Sequence, residues 1–288
     1  MGGFDMKKVV VTGAGGYIGR HVVKKLCDMN YEVFAVDMKK KDWDRRAEFL
    51  NVPIFSGSPD IYQQLGSPDI CIHLAWKDGF IHNSPAHMQN LSNHMIFLQH
   101  MIDAGLPMLT VMGTMHEVGY WEGAIDENTP CNPMSQYGIA KNAMRQSLML
   151  VTKEKKCVLH WLRAYYITGD DMRGKNIFSK IVATANQGKK TFPFTSGKNK
   201  YDFVDIDTLA DMIVAASIQN KINGVINVCS GEPISLSERV ERFIKENGFD
   251  IKLEYGAFPD RPYDSPAEWG NNSKIKKIMN WYKGEKNE

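Results

Sequence analysis

A tyrosine and a lysine, Tyr137 and Lys141, lie four residues apart in the segment SQYGIAKNAMR. On a helix, this spacing places the phenol and the ammonium on one face, in adjacent turns. A free phenol has a pKa near ~10, and a nearby ammonium favours the phenolate and lowers that pKa towards the neutral range. Thr114, which follows the apolar run MLTVMG, adds a hydroxyl group. The three side chains predict acid–base chemistry, and the alternative is a helix-surface pair without a chemical role.

A glycine-rich turn lies near the N-terminus, where VVVTGAGGYIG contains Gly13, Gly16 and Gly19. The turn follows an apolar run and opens a helical stretch, as in the strand–turn–helix unit of a dinucleotide site. Gly13 permits the turn, Gly16 lets the backbone approach a pyrophosphate, and Gly19 allows helix and strand to pack closely. The helix N-terminus then presents free N–H groups and the positive end of its dipole to the phosphates. The sequence predicts dinucleotide binding, and the alternative is a merely structural turn.

A second strand-like run, YEVFAVD, ends in Asp37. A carboxylate about twenty residues after the glycine turn suits the ribose hydroxyls of a dinucleotide and repels the 2′-phosphate of NADP. We therefore expect NAD as the cofactor. Lys39 and Lys40 follow Asp37 closely and leave NADP open as an alternative.

Strand-like and helical segments alternate through the first 165 residues. Strands are predicted near residues 8–12, 32–36, 53–55, 70–74, 108–112 and 158–164, and helices near 18–30, 59–65, 85–104 and 137–154. This alternation indicates an α/β fold with a doubly wound parallel sheet. We expect a Rossmann dinucleotide-binding domain in residues 1–165, with a returning segment near 200–222. Residues 166–288 are expected to form mostly a smaller, C-terminal substrate-binding lobe.

The composition is ordinary for a globular protein, with 43% hydrophobic and 24% charged residues among 288. A net charge of +2 gives no electrostatic reason to expect nucleic acid or a membrane surface as a partner. No apolar run approaches the ~18 residues of a transmembrane helix, and the N-terminus lacks the apolar core of a secretory signal. The five cysteines are scattered and form no CxxC pair, so we expect a cytoplasmic protein.

Four histidines, His82, His87, His94 and His100, occupy one loop and the helix after it. No HExxH motif or Cys/His cluster accompanies them, so no metal site is expected. His87 and His94 lie seven residues apart and are expected on a polar helix face near a dimer contact.

Six segments spread over nearly the whole chain resemble the motifs of one family: TGAGGYIG, HLAW, YGIAK, LRAYYITG, YDFVDIDTLA and INVCSGEPISL. The chain resembles the extended short-chain dehydrogenase/reductase family, in its NAD-dependent epimerase/dehydratase group, which acts on nucleotide sugars. Within that group it is most similar to the nucleotide-sugar 4-ketoreductases. The resemblance implies NAD(P)H-dependent reduction of the 4-keto group of a nucleoside-diphosphate 6-deoxyhexose. In this interpretation Tyr137 donates the proton, Lys141 tunes Tyr137 and reaches the nicotinamide ribose, and Thr114 hydrogen-bonds the carbonyl oxygen.

Two alternatives share this framework. A nucleotide-sugar C4 epimerase would use the same three residues with a retained NAD, and a non-catalytic redox sensor would bind the dinucleotide alone. A dehydratase is not expected, because Thr114-Met115-His116 stands where the family's 4,6-dehydratases have Thr-Asp-Glu.

The resemblance also implies the remaining site residues. The cofactor would contact Gly13, Gly16, Tyr17, Ile18, Gly19, Asp37, Met38, Leu74, Ala75, Trp76, Tyr137, Lys141, Ala164 and Tyr165. The substrate would contact Thr114, His116, Tyr166, Asn176 and Arg261. Arg261 is a candidate for the diphosphate because Tyr201 stands where the family often has an arginine. A homodimer is expected through the helices that begin near Pro85 and Tyr137.

Overall fold

The structure is a computed structural model that describes residues 7–40, 42–169, 176–260 and 264–285. The strands within these ranges are β1 (Lys8–Thr12), β2 (Glu32–Val36), β3 (Glu48–Leu50), β4 (Ile70–His73), β5 (Met108–Thr114), β6 (Gly123–Ile125), β7 (Val158–Ala164), β8 (Tyr166–Thr168), β9 (Thr191–Pro193), β10 (Lys200–Asp205), β11 (Gly224–Val228), β12 (Pro233–Ser235), β13 (Lys252–Glu254) and β14 (Ala267–Gly270). The α-helices are α1 (Gly19–Asp28), α2 (Ile61–Gln64), α3 (Ala86–Asp103), α4 (Gln136–Lys155), α5 (Ile177–Asn186), α6 (Ile206–Ser217), α7 (Leu236–Glu246) and α8 (Ser273–Glu285). A short 3₁₀ helix, Met115–Glu117, follows β5.

Seven of the described strands form one sheet in the order β11-β7-β5-β4-β1-β2-β3, and all neighbouring pairs run parallel. Thr12 at the end of β1 lies opposite both Val36 and His73, and Thr114 lies opposite Ala164. The carboxyl ends of β1, β2, β4, β5 and β7 therefore meet at one edge. The strand order reverses at β1, which is where sheets of this type bind ligands. The predicted doubly wound α/β fold is confirmed.

The side-chain alternation of β1 divides the core between the two faces of the sheet. Val9 and Val11 pack with α1, α6 and α8 on one face, and Val10 packs with α3 and α4 on the other. Both faces of the sheet are covered by helices. The sequence of β1 is therefore a continuous run of apolar residues and not an alternation of apolar and polar ones.

The third strand lies earlier than predicted. Residues 53–55 do not form a strand; β3 comprises Glu48–Leu50 and pairs with β2 through Phe34 opposite Glu48. Pro53 cannot donate a backbone hydrogen bond to a ladder, whereas the residues before it can. Two elements from the C-terminal half join the N-terminal half. Strand β11 forms one edge of the large sheet, and helix α6 packs against α1.

The remaining strands build smaller sheets beside the carboxyl edge. One has the order β12-β10-β14-β6, with β8 also paired to β10, and β9 pairs with β13. Asp202 on β10 is fully buried, and its carboxylate accepts backbone N–H bonds from Ser230, Gly231 and Gly270. These bonds hold β10, β14 and the turn after β11 together. Within the described ranges, no helix is both long enough and apolar enough to cross a membrane.

Candidate active site

The glycine-rich turn between β1 and α1 has a geometry that larger residues cannot adopt. Gly13 has φ +70°, and a Cβ there would lie 2.7 Å from the Ala75 backbone nitrogen. A Cβ on Gly19 would lie 2.2 Å from the Gly13 carbonyl oxygen. The Gly16 N–H donates to that same carbonyl oxygen at 2.9 Å and closes the turn. The start of α1 is thus held against the end of β1, which is the arrangement that a pyrophosphate needs.

No side chain caps the N-terminus of α1. Ile18 is the N-cap, its side chain accepts no capping bond, and the first turn contains no acidic residue. Asp37, at the end of β2, accepts the Gly15 N–H at 3.0 Å and the Met38 N–H at 2.8 Å. A positive helix end beside a carboxylate fits the phosphates and the ribose of NAD, respectively.

Tyr17 and Ile18 connect the turn to the rest of the molecule. Both side chains are partly buried and pack against the core beneath α1. The Tyr17 hydroxyl donates to the Gly169 carbonyl oxygen at 2.5 Å, just after β8. Met38, by contrast, has a side chain that is 94% exposed.

Leu74, Ala75 and Trp76 follow β4 and lie beside the glycine turn. The Leu74 N–H donates to the Thr12 carbonyl oxygen at 3.1 Å, and the Ala75 N–H donates to the Thr12 hydroxyl at 3.4 Å. The Trp76 ring lies under the Lys141 ammonium, with Nζ 3.7 Å from the ring centroid. Such a contact stabilises a cation that has lost its water.

Two histidines of α3 hold the Trp76 ring. The Trp76 Nε1–H donates to His87 Nδ1 at 3.0 Å, and the His94 ring stacks on the indole with centroids 4.5 Å apart. His94 Nδ1 lies 2.8 Å from His73 Nε2, and burial lowers the pKa of His94 to about 3. The expectation that His87 and His94 lie on a polar surface of the helix is wrong, and their nearness to a dimer contact stays a prediction. Both side chains point into the protein because each has a hydrogen-bond partner there.

Thr114, Tyr137 and Lys141 come together at the carboxyl end of β5. The Thr114 side chain lies near the Tyr137 phenol and acts to lower its pKa, and the Lys141 ammonium donates to the Met112 carbonyl oxygen at 2.8 Å. Ser135 caps α4 by accepting the Gly138 N–H at 3.1 Å, so the helix begins immediately before Tyr137. The arrangement places a phenol, a hydroxyl and an ammonium around the end of one strand.

The electrostatics of this group differ from the sequence-based expectation. Burial raises the pKa of Tyr137, the Glu117 carboxylate raises it further, and the nearby Thr114 side chain opposes both effects. Burial lowers the pKa of Lys141 to about 7. The prediction that the ammonium lowers the pKa of the phenol is wrong here, because Lys141 faces the Met112 carbonyl group and the Trp76 ring. Tyr137 is therefore protonated at neutral pH and suited to donate a proton.

The segment before α3 covers Tyr137. The Tyr137 N–H donates to the His82 carbonyl oxygen at 2.9 Å, and the His82 ring stacks against the phenol with centroids 5.7 Å apart. The His116 ring lies beside both, with its centroid 4.3 Å from that of His82 and 6.2 Å from that of Tyr137. Burial, with a smaller effect of His82, lowers the pKa of His116 to about 3, so its imidazole is neutral.

The remaining residues predicted to bind the cofactor or the substrate lie in several different environments. Ala164 is buried at the end of β7, and Tyr165 is buried with its hydroxyl donating to Asn227 Oδ1 at 3.3 Å. Tyr166 packs on Tyr201 with ring centroids 4.4 Å apart. Asn176 is the N-cap of α5, and its Oδ1 accepts the Ser179 N–H at 3.0 Å. Arg261 lies outside the described residues.

Glu117 is a residue that the sequence reasoning missed. Its side chain is fully buried, and its Oε1 accepts the Thr114 N–H at 2.8 Å in a capping box. The signal was present, because Thr114 and Glu117 have the T-x-x-E spacing of that motif.

The fold and this site define a dinucleotide-binding α/β protein with a Thr–Tyr–Lys group at the carboxyl edge of its sheet. The chain belongs to the NAD dependent epimerase/dehydratase family, whose model matches residues 9–229. It is 44% identical over 269 residues to dTDP-6-deoxy-L-talose 4-dehydrogenase (NAD(+)) of Aggregatibacter actinomycetemcomitans, covering 91% of this chain and 98% of that protein. The predicted resemblance to the family and to its nucleotide-sugar 4-ketoreductases is confirmed.

More distant relatives share the fold. UDP-arabinose 4-epimerase 1 of Arabidopsis thaliana is 26% identical in an alignment 315 positions long, which covers 95% of this chain and 74% of that protein. The crystal structure of UDP-glucose 4-epimerase with UDP-glucose from Thermotoga maritima superposes with a TM-score of 0.81 at 23% identity, over 94% of this chain and 91% of that one. UDP-glucose 4-epimerase of Thermus thermophilus in complex with NAD gives a TM-score of 0.80 at 20% identity, over 96% and 93%.

Proposed function

We propose that this protein catalyses the NAD(P)H-dependent reduction of the 4-keto group of a nucleoside-diphosphate 6-deoxyhexose, and the reverse oxidation. The observation that carries the reaction class is the buried, protonated Tyr137 phenol, which lies beside the Thr114 side chain at the end of β5 and on the same helix as Lys141. The substrate class is supported by the 44% identical relative, which the chain covers almost completely.

Each member of the site has a distinct task in this proposal. NADH, when bound, supplies the hydride that reduces the carbonyl carbon. Tyr137 donates its proton to the carbonyl oxygen, and the Thr114 hydroxyl hydrogen-bonds the same oxygen and orients it. Lys141 would hold the nicotinamide ribose. Trp76 supports the Lys141 ammonium from below.

The cofactor would lie across the carboxyl edge of the sheet at β1. The turn that contains Gly13, Gly16 and Gly19 would hold the pyrophosphate, and Asp37 would accept hydrogen bonds from the adenosine ribose. Because a carboxylate repels a 2′-phosphate, NADH is the preferred cofactor and NADPH the weaker one.

Water elimination does not fit the residues after Thr114. Met115 is buried and apolar, and His116 is a neutral imidazole. Glu117 is turned away beneath the strand, where Trp161 and two arginines contact it. A dehydratase would need an acid and a base at this edge.

The C-terminal half would bind the nucleotide sugar. Residues 166–288 would supply most of this lobe, while α6 and β11 stay with the sheet that binds the cofactor. Arg261 would bind the diphosphate in bidentate fashion, with the exposed Lys198 and Lys200 as alternatives. His116 and Tyr166 would contact the sugar, and Asn176 would contribute from the start of α5.

A homodimer through α3 and α4 is part of this proposal. The two helices pack on one another and still expose large apolar side chains, namely Met88, Ile96, Ile139, Met149 and Leu150. An apolar surface shared by two adjacent helices suits burial against a second copy. A cytoplasmic location is supported by the five cysteines, which are all unpaired.

The first experiment is mass spectrometry of the small molecules that the purified protein releases on denaturation. A site without cofactor supports the reductase, whereas stoichiometric NAD or NADH supports the C4 epimerase.

The second experiment follows NADH and NADPH oxidation with a nucleotide-linked 4-keto-6-deoxyhexose. Tyr137→Phe should lower kcat by about 10²-fold or more, because the proton donor is lost. Tyr62→Phe, on α2, is the matched control. Equal activity of Tyr137→Phe and the wild type would reject the proposed role.

A further inference from the structure

Glu117 places a carboxyl group in the protein interior next to Thr114, where burial raises its pKa and the Arg163 guanidinium opposes that effect. Its side chain has no solvent exposure, and its Oε1 accepts the Thr114 N–H at 2.8 Å. In return, the Thr114 hydroxyl accepts the His116 N–H at 3.3 Å. The backbone at Thr114 is therefore fixed by the carboxylate, which determines the direction in which the Thr114 hydroxyl points.

The same carboxylate contacts the helix that carries the other two residues of the group. Arg145 lies one turn after Lys141 on α4, and its Nε is 3.4 Å from Glu117 Oε2. Arg145 is also anchored on its own helix, where it donates to Asn142 Oδ1 at 2.8 Å. An ion pair between these elements sets the distance from the end of β5 to α4.

A third element completes the surroundings of the carboxylate. The Trp161 Nε1–H on β7 lies 2.9 Å and 3.0 Å from the two Glu117 oxygens. The fully buried Arg163, on the same strand, places a guanidinium nitrogen 3.6 Å from Glu117 Oε2 and donates to the Asp126 carbonyl oxygen. Glu117 thus joins β5, α4 and β7 beneath the site.

We propose that Glu117 is a positioning residue that holds the Thr114 hydroxyl against Tyr137 by joining the end of β5 to α4. The inference rests on the proposed function, because it requires that these two residues act on a substrate. Well-packed apolar residues often fill such a position at no loss of stability, so a buried charge is a poor choice for packing alone. A displacement of about 1 Å in a catalytic group can lower the rate by about 10²-fold. A contact that fixes the position of Thr114 therefore affects the rate.

The Glu117 carboxylate also contributes to the electrostatic potential at the Tyr137 phenol. Several titratable groups face the phenol or its immediate neighbours: Glu117, Lys141, His82, His87 and His116. Of these, Glu117 carries the negative charge, and it raises the pKa of Tyr137. Neutralising Glu117 should therefore move the alkaline limb of the pH profile of kcat to lower pH. A purely structural role would leave that limb in place.

The test uses the full-length protein with three substitutions. Glu117→Gln removes the charge, Arg145→Gln cuts the contact with α4, and Arg145→Lys keeps a cation there. Arg242→Gln, in an exposed ion pair with Glu238 on α7, is the matched control. We expect kcat to fall by about 10²-fold in Glu117→Gln and about tenfold in Arg145→Gln, with KM for NADH within about twofold. Arg145→Lys should recover most of this loss.

Hydrogen exchange gives a readout that does not depend on activity. The Thr114 amide should exchange faster in Glu117→Gln and Arg145→Gln than in the wild type or Arg242→Gln. If Glu117→Gln does not fold, the comparison of Arg145→Gln with Arg145→Lys still tests whether the contact between Glu117 and α4 positions Thr114. The inference would be overturned if the folded variants had the kcat of the wild type, the same alkaline limb in the pH profile of kcat, and the same exchange rate of the Thr114 amide. A wild type that is inactive on every 4-keto sugar would instead count against the proposed function, and the exchange data would still test the connection.

Discussion

Replacing Lys141 with methionine should stabilise the cofactor-free protein, and the gain should shrink as pH rises. Lys141 is 2% exposed, and burial lowers its pKa from 10.5 to about 7. Between these two values the unfolded lysine binds a proton that the folded lysine has lost. The free energy of unfolding of the wild type therefore rises with pH over this range, and the full penalty applies below the folded pKa.

The size of the effect follows from the shift. At about pH 6 the penalty on the charged lysine is about 4–5 kcal/mol, and at about pH 9 it is about 2 kcal/mol. Methionine fills a similar volume but leaves the Met112 carbonyl oxygen without its partner, which costs about 1–3 kcal/mol. Lys141→Met should thus stabilise the protein by about 2–3 kcal/mol at the lower pH and by about zero at the higher one.

Urea denaturation of cofactor-free wild type and variant at both pH values measures the two differences. Lys153→Met replaces an exposed lysine on the same helix and controls for the general effect of charge removal. Other ionisable groups act on both proteins and cancel in the comparison. If the stability difference between Lys141→Met and the wild type is the same at both pH values, the assigned burial of an ammonium at this position is refuted.

Three further outcomes follow from the site and its surroundings. Gly13→Ala should weaken NADH binding by about tenfold or more in a fluorescence titration, because its Cβ would meet the Ala75 backbone at 2.7 Å; tight binding would contradict the assigned turn. Asp37→Ala should lower the ratio of kcat/KM for NADH to that for NADPH, since it removes the charge that repels a 2′-phosphate; an unchanged ratio would remove Asp37 from cofactor selection. Leu150→Glu, at a side chain that is 68% exposed on α4, should convert a dimer to a monomer in light scattering, whereas Lys153→Glu should not. A dimer that survives Leu150→Glu would place the interface elsewhere.

Local spacing in the chain accounts for the parts of the fold and site that were predicted. The alternation of apolar runs and helical stretches predicted the doubly wound sheet, since each pattern reflects what one element must bury. The glycines from Gly13 to Gly19 predicted the turn because its backbone geometry excludes other residues there. The spacing of Tyr137 and Lys141 predicted a shared helix face, which depends only on the helical repeat.

Features that depend on several distant segments could not be obtained in this way. His87 and His94 resemble surface residues in a linear pattern, yet they turn inward because His73 on β4 and Trp76 just after it offer hydrogen-bond partners. The pKa of Tyr137 is raised rather than lowered because burial disfavours the phenolate and the Glu117 carboxylate adds to that effect. The T-x-x-E spacing marks Glu117 as a capping residue, but Arg145 and Trp161 reach its carboxylate from 28 and 44 residues further along the chain. Burial and charge at one point sum contributions from the whole fold, and no local pattern contains that sum.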